Sequence, residues 1–393
     1  MKDIVQKGLL FTLITFLFSC QNERTLEPHP PYDVASSFTI YPIVVDQMAV
    51  LPAKINDEQG LLGINIYSGD TLWSFAQEQC RDLYYNLRST YTEEAIYIPF
   101  TKGLLSVDRI SFAVDYFPLQ KEGYIQSQLV SYDEKVLGVQ AQKNRRRYEV
   151  FAFNLRSGTF TVLQSFETDT TRRLLMRAPQ IIKKLSSSSP AFAAPVVDFK
   201  SKDTTYSYFL FWEEGGKVDS IPAVIPNTQG KGATRMAVVF DSLALWLVDS
   251  EWVAIDISSR KEVWRNTLGT KMLTSQPLLV NDTLFCAMEN MRLYALQVQT
   301  GDTIWTQKIA GTPSRVYSRD STLHLIGGSD GKYYRIHRET GERLPMRKND
   351  IFFERTFYTD NNVTIVRIKN KWHIGSSIES ILHSQSFSPD NSQ

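Results

Sequence analysis

Residues 295–305 read Ala295-Leu-Gln297-Val-Gln-Thr300-Gly301-Asp-Thr-Ile-Trp305, and six further stretches can be laid over them with no gap inside the unit. The clearest are 63–73 (Gly63, Asn65, Gly69, Trp73), 254–264 (Ala254, Asp256, Arg260, Trp264) and 152–162 (Ala152, Asn154, Gly158, Val162). Weaker copies run over 106–116, 210–220 and 335–345, where Phe112, Gly216 and Gly341 hold the glycine position and Tyr116, Ser220 and Pro345 the last one. Successive glycine positions stand 43, 46, 58, 44, 41 and 40 residues apart. The one long interval contains residues 182–195, a Ser- and Pro-rich stretch that reads as an inserted loop.

Each copy reads as a β-hairpin. Alternating apolar residues such as Leu293 and Ala295 make a strand, the Ser/Thr-Gly pair supplies a turn with φ > 0, and a second strand opens with the indole. A small residue at the first position lets sheets approach closely. The Asp, Asn or Gln two places on can hydrogen-bond the turn backbone, and the tryptophan fills the gap to a neighbouring sheet. Arg260 in place of glycine predicts a strained turn, or one of another type. Further strand-like runs lie between the copies, at 276–280, 283–288 and 322–326. Four strands in each period of about 40–50 residues is the arithmetic of a propeller blade.

The unit resembles the tryptophan-docking motif, A-x-D-x-x-T-G-x-x-x-W, of PQQ-like β-propellers. The copy at 295–305 departs from it only at Gln297. The resemblance implies an all-β propeller of four-stranded antiparallel blades, eight if the strand-like runs at 351–358, 363–369 and 372–375 form a further blade, with seven as the alternative. It also implies that Gly69, Trp73, Tyr116, Gly158, Gly216, Asp256, Trp264, Ala295, Thr300, Gly301, Trp305 and Gly341 dock blade to blade. Such rings close by placing an N-terminal strand, here 37–44, in one sheet with C-terminal strands, which leaves no open edge.

The amino terminus carries an address. Lys2 and Lys7 precede an apolar run, 8–18, that is too short for a permanent membrane-spanning helix and reads as a signal-peptide core. It ends Leu17-Phe18-Ser19-Cys20, which resembles the bacterial lipobox, so Cys20 is the expected site of lipidation, with acyl chains such as palmitate anchoring the mature protein without spanning the bilayer. Gln21 stands where an Asp would favour inner-membrane retention in comparable lipoproteins, which points to the outer membrane. The domain reading is therefore a signal peptide at 1–19, a lipidated, Pro-rich tether at 20–36, one propeller at 37–385 and a tail at 386–393.

Apolar residues make up 42% and charged residues 22% of the 393, which excludes disordered, collagenous and polytopic membrane chains. A net charge of +1 excludes an advertised nucleic-acid partner. Quinoprotein dehydrogenases share the PQQ-like fold, but generally carry a vicinal Cys-Cys pair, whereas Cys80 and Cys286 are far apart and can be paired or inert. His29, His324, His337, His373 and His383 include no pair at metal-ligand spacing, and no nucleophile or phosphate-loop motif occurs. The sequence therefore assigns no catalytic residue, metal or cofactor. Gly327, Gly328 and Gly331 read as a hairpin turn, and Glu213-Glu214, the basic run 143–147 and Arg172-Arg173 as solvated loops.

Lipobox and propeller together resemble the BamB-type lipoproteins of bacterial outer membranes. That resemblance implies a monomeric scaffold whose partners are proteins, barrel-assembly components among them. The alternative is a periplasmic or surface lipoprotein that binds a glycan or a partner enzyme and shares only the fold.

Overall fold

The computed structural model describes residues 32–33, 41–77, 80, 89–119, 123–132, 134–142, 147–167, 173–176, 180–182, 191–199, 205–213, 218–222, 237–248, 251–269, 275–345, 351–360 and 363–386. The chain lays down eight antiparallel sheets in sequence order, over 43–75, 90–118, 123–167, 173–222, 237–267, 278–308, 317–337 and 353–375. Seven of them carry four strands or more, so the ring has seven full blades, the smaller of the two expected counts. The sheet at 317–337 has three strands. A fourth begins there as the single bridge Ile336↔Arg343, in the register that Leu296↔Thr303 opens in the sheet before it. It goes no further because Pro345, at the indole position, has no N–H to give a ladder.

Strand alternation survives only at the rim. Thr303–Lys308, the fourth strand of the sixth sheet, is exposed at most positions and half-buried at the rest. Ala95–Phe100, a second strand, is buried at every residue. The difference follows from packing, since an inner strand has a neighbouring sheet on both faces and must be apolar on both. Between the first and second sheets lie Val50, Trp73, Ile98 and Leu105. Between the eighth and the first lie Leu51, Ile64, Ile365 and Trp372. The Trp372 Nε1–H donates to the Pro52 carbonyl at 2.7 Å, joining positions 320 residues apart.

Closure uses a strand other than the one expected. Ile43–Val45 is the first strand of the first sheet, held to Met48–Val50 by a two-residue turn in which Asp46 has φ 54°. The outermost strand of the eighth sheet is instead Tyr32–Asp33, paired with Trp372 and Lys371. The sheet thus takes in two residues expected in the tether. A helix, α1 (Ile378–Ser386), also stands where further sheet or tail was expected. Ser377 and Ser380 cap it reciprocally at 3.1 Å, and it buries Ile378 and Ile381 against the last two sheets. Among the described residues no helix is long and apolar enough to cross a membrane.

Candidate functional site

The repeated turn has one geometry in all six copies that lie in the described residues. The N–H at the glycine position donates to the carbonyl four residues back, at Gly69, Phe112, Gly158, Arg260, Gly301 and Gly341, over 2.7–3.1 Å. Glycine has φ between 64° and 78° at these turns. Phe112 and Arg260 adopt φ 58° all the same, so of the two expectations at Arg260 the strained turn is the one that forms, not a turn of another type. Asp108 Oδ1 accepts the N–H groups of Ile110 and Ser111, and Asp256 Oδ1 that of Ser259 at 2.6 Å, which fixes the turn and holds both carboxyls below the usual carboxylate range. A non-glycine residue is thereby forced into the left-handed region at a cost of about 1–2 kcal/mol. Gln297 differs: its longer side chain donates to Asp282, while the Asp302 N–H donates to Thr300 Oγ1 as the equivalent N–H groups of Asp70 and Ala113 do to Ser68 and Ser111 in the capped copies.

The indoles of Trp264 and Trp305 reach the next sheet. Trp264 Nε1–H donates to the Val298 carbonyl at 2.7 Å and Trp305 Nε1–H to that of Arg338 at 3.0 Å, three residues before Gly301 and Gly341 respectively. A Cβ on Gly301 would lie 2.4 Å from the Trp264 ring, and one on Gly341 2.6 Å from Trp305, so each glycine is what lets an indole lie on a turn. Trp73 has Phe112 in place of a glycine in its cluster, and its N–H goes to Met48 Sδ in its own sheet. Ala254 and Ala295, opposite Trp264 and Trp305 across the hairpin, are fully buried.

A β-bulge decides which residue docks. All three tryptophan copies are bulged at the same place, between Gly63 and Ile64, Ala254 and Ile255, and Ala295 and Leu296. The second sheet has no such bulge, so its fourth strand is out of step by one residue and its side chains swap faces. Tyr116 therefore packs back toward the first sheet, edge-on to Phe100, and Phe117 lies on Gly158 of the third sheet. The docking residue expected at Tyr116 is corrected to Phe117. Gly216 and Cys20 lie outside the described residues, as do 143–146 and Arg172.

A second set of inter-strand anchors carries no tryptophan signal. Ser127 and Ser314 are buried just before inner strands, and each accepts an N–H from the residue twelve further on, Val139 or Ile326, at 2.8 Å. Each also donates to the next carbonyl. Their signal in the sequence is a serine recurring ahead of the inner strand, outside the glycine and tryptophan columns. Cys80 and Cys286 are both free and buried, and burial pushes their thiols up, Cys286 to about 12.

One cavity, of about 440 Å³, opens between the seventh sheet, the eighth sheet and α1. Its wall is built by register. His324 pairs with Arg335 and Thr322 with Arg319 on neighbouring strands, so these four share one face with Tyr333. Thr364 comes from the facing sheet, Ser377 and Glu379 from the start of α1, and Asp320 from a turn. Arg319 Nη1 donates to the Ser376 carbonyl at 2.9 Å, and Arg335 Nη1 to Glu379 Oε1 at 3.4 Å. His324 is 7% exposed, its Nδ1 is bonded to the Tyr333 hydroxyl, and its Nε2 has no hydrogen-bond partner among the described residues. Desolvation, then the charges of Arg335 and Arg319, push the imidazole down to about 4.

That shift has a measurable sign. Between pH 6.5 and about 4 the unfolded chain binds a proton at His324 that the folded chain does not, so stability contributed by the neutral imidazole is present above pH 6.5 and lost as pH falls toward 4. The loss amounts to about 3 kcal/mol. Urea unfolding at pH 7.5 and 4.5 is expected to show His324→Gln losing less stability on acidification than the parent chain by about that amount. Equal losses in the two proteins would place the titration elsewhere.

Residues 213–367 match the family model described as outer membrane protein assembly factor BamB. No curated protein sequence matches the chain. BamB from Moraxella catarrhalis superposes with a TM-score of 0.55 at 10% identity, over 89% of this chain and 99% of that one. Saccharomyces cerevisiae Sqt1 gives 0.60 at 9% identity over 89% and 99%, and the computationally designed Ika8 protein 0.59 at 10% over 89% and 98%. Identities this low carry the fold alone. The repeated indole-on-turn contacts, the ring of sheets and the BamB model over residues 213–367 together make this chain a β-propeller with PQQ-like repeats, similar to BamB.

Proposed function

We propose that the chain is a non-catalytic scaffold, lipid-anchored through Cys20 at the bacterial outer membrane, which presents a rigid ring to protein partners in outer-membrane protein assembly. The observation that carries this reading is the likeness to BamB over nearly the whole fold, together with the match over 213–367. A surface feature supports it. Ile110 is 87% exposed on the second sheet, beside Arg109, whose guanidinium stands 5.9 Å over the half-exposed Tyr91 ring. Aromatic residues and arginine are enriched where protein surfaces meet, and here Arg109, held by Asp46 and the Thr92 carbonyl, fixes the Tyr91 ring beside the exposed Ile110.

Affinity purification from native membranes tests the proposal, with mass spectrometry of the mature amino terminus beside it. Recovery of barrel-assembly components and a fatty-acylated Cys20 are expected. Recovery of a transport or polysaccharide complex without those components would instead favour the second reading, a periplasmic or surface ligand-binding lipoprotein. The cavity beside α1 is the observation on that side.

A further inference from the structure

The cavity between the last two sheets and α1 has a polarity that selects its occupant. Two guanidinium groups, Arg319 and Arg335, flank it, and its deep wall is made of His324, Tyr333 and Thr364, which are 7%, 5% and 1% exposed. Two carboxylates, Asp320 and Glu379, also line it, but Asp320 is exposed and the Glu379 side chain is 47% exposed. Both carboxylates therefore stand at the open side, which leaves the two guanidiniums as the charges that flank the buried wall. A metal ion would be repelled from such a floor. A flat apolar ligand would find few surfaces to stack on, since Tyr333 is itself buried.

We propose that this cavity binds the oxyanion head of a small organic acid, a phosphate monoester or a carboxylate, between Arg319 and Arg335 and against His324. Guanidinium N–H groups not engaged by Ser376 and Glu379 supply charge-assisted donors. The imidazole supplies another. The Tyr333 hydroxyl, whose ionisation is pushed up by burial, keeps its proton and can donate it to His324 Nδ1, which leaves the ring proton on Nε2. Nε2–H is then a donor with no partner among the described residues, sealed from solvent as the ring stands, so a small shift of the imidazole toward the cavity is what brings it to an oxyanion. About 440 Å³ falls within the roughly 300–1,000 Å³ typical of small-molecule sites, so the head arrives with a body attached. Asp320 and Glu379 at the mouth are placed to accept hydrogen bonds from hydroxyl or ammonium groups on that body.

Calorimetric titration of the full chain with inorganic phosphate, glycerol 3-phosphate and acetate tests this. Saturable one-site binding of at least one probe is expected. Preference for the phosphates or for acetate identifies the head group. Arg319→Gln and Arg335→Gln should each weaken that binding about tenfold, as loss of a charge-assisted donor does. Glu379→Gln frees Arg335 and removes an anion from the mouth, so it should tighten binding, an effect that a purely architectural ion pair would not give. His324 side-chain nitrogen resonances should move with the same saturation curve. No saturable binding of any probe at millimolar concentration, or affinities unchanged by both arginine variants, would overturn the proposal.

Discussion

Trp372→Ala should lower the unfolding free energy by about 3–5 kcal/mol, because it truncates a fully buried indole at the seam where the ring closes. The residue is fully buried in the cluster that joins the last sheet to the first, with Ala49, Leu51, Ile64 and Ile365 around it. Truncation removes this contact area and leaves the Pro52 carbonyl without its indole donor. Trp372→Phe, which keeps most of the area and loses only the N–H, should cost about 1–2 kcal/mol. Urea unfolding followed by tryptophan fluorescence and by circular dichroism measures both. A loss below about 1 kcal/mol in the alanine variant would mean that closure is carried by other contacts.

Gly301→Ala is the second large effect, about 2–4 kcal/mol, from two causes that can be separated. The backbone sits at φ 78°, where an L-residue costs about 1–2 kcal/mol, and the new methyl would lie 2.4 Å from the Trp264 ring, so the indole must shift. Gly269→Ala isolates the first cause, because Gly269 has φ 69° and an added methyl there would meet nothing within 4 Å, and it should cost only about 1 kcal/mol. Combining Gly301→Ala with Trp264→Ala should cost less than the sum of the two alone, because the clash goes with the indole. Strict additivity would show that Trp264 does not hold the turn.

The propeller was legible because its signal is local. A turn that needs a left-handed residue, an Asp or Asn two places into the unit and an indole at fixed distance all lie within eleven positions, as Asn65, Gly69 and Trp73 of 63–73 show. What escaped was set by something the residue pattern does not encode. Tyr116 occupies the tryptophan column, yet a missing bulge turns it to the other face and gives its place to Phe117. Phe112 and Arg260 break the glycine rule because side-chain caps hold their turns in shape. The two-residue closing strand at Tyr32–Asp33 is too short to show a period, and Ser377 and Ser380 start a helix beyond the last strand-like run, in residues read only as the end of the propeller. The cavity was not legible at all. Arg319, His324, Arg335, Thr364 and Glu379 are ordinary in sequence and converge only through register and the position of α1.

Because Tyr32–Asp33 forms the perimeter strand of the closing sheet, the polypeptide enters the disc at its circumference, twelve residues after Cys20. Fully stretched, that leash spans no more than about 40 Å. A fatty-acylated Cys20 would therefore confine the whole disc to a shallow layer above the lipid, moored by its edge and free to swivel about one point. Clients that emerge within that layer would meet it first.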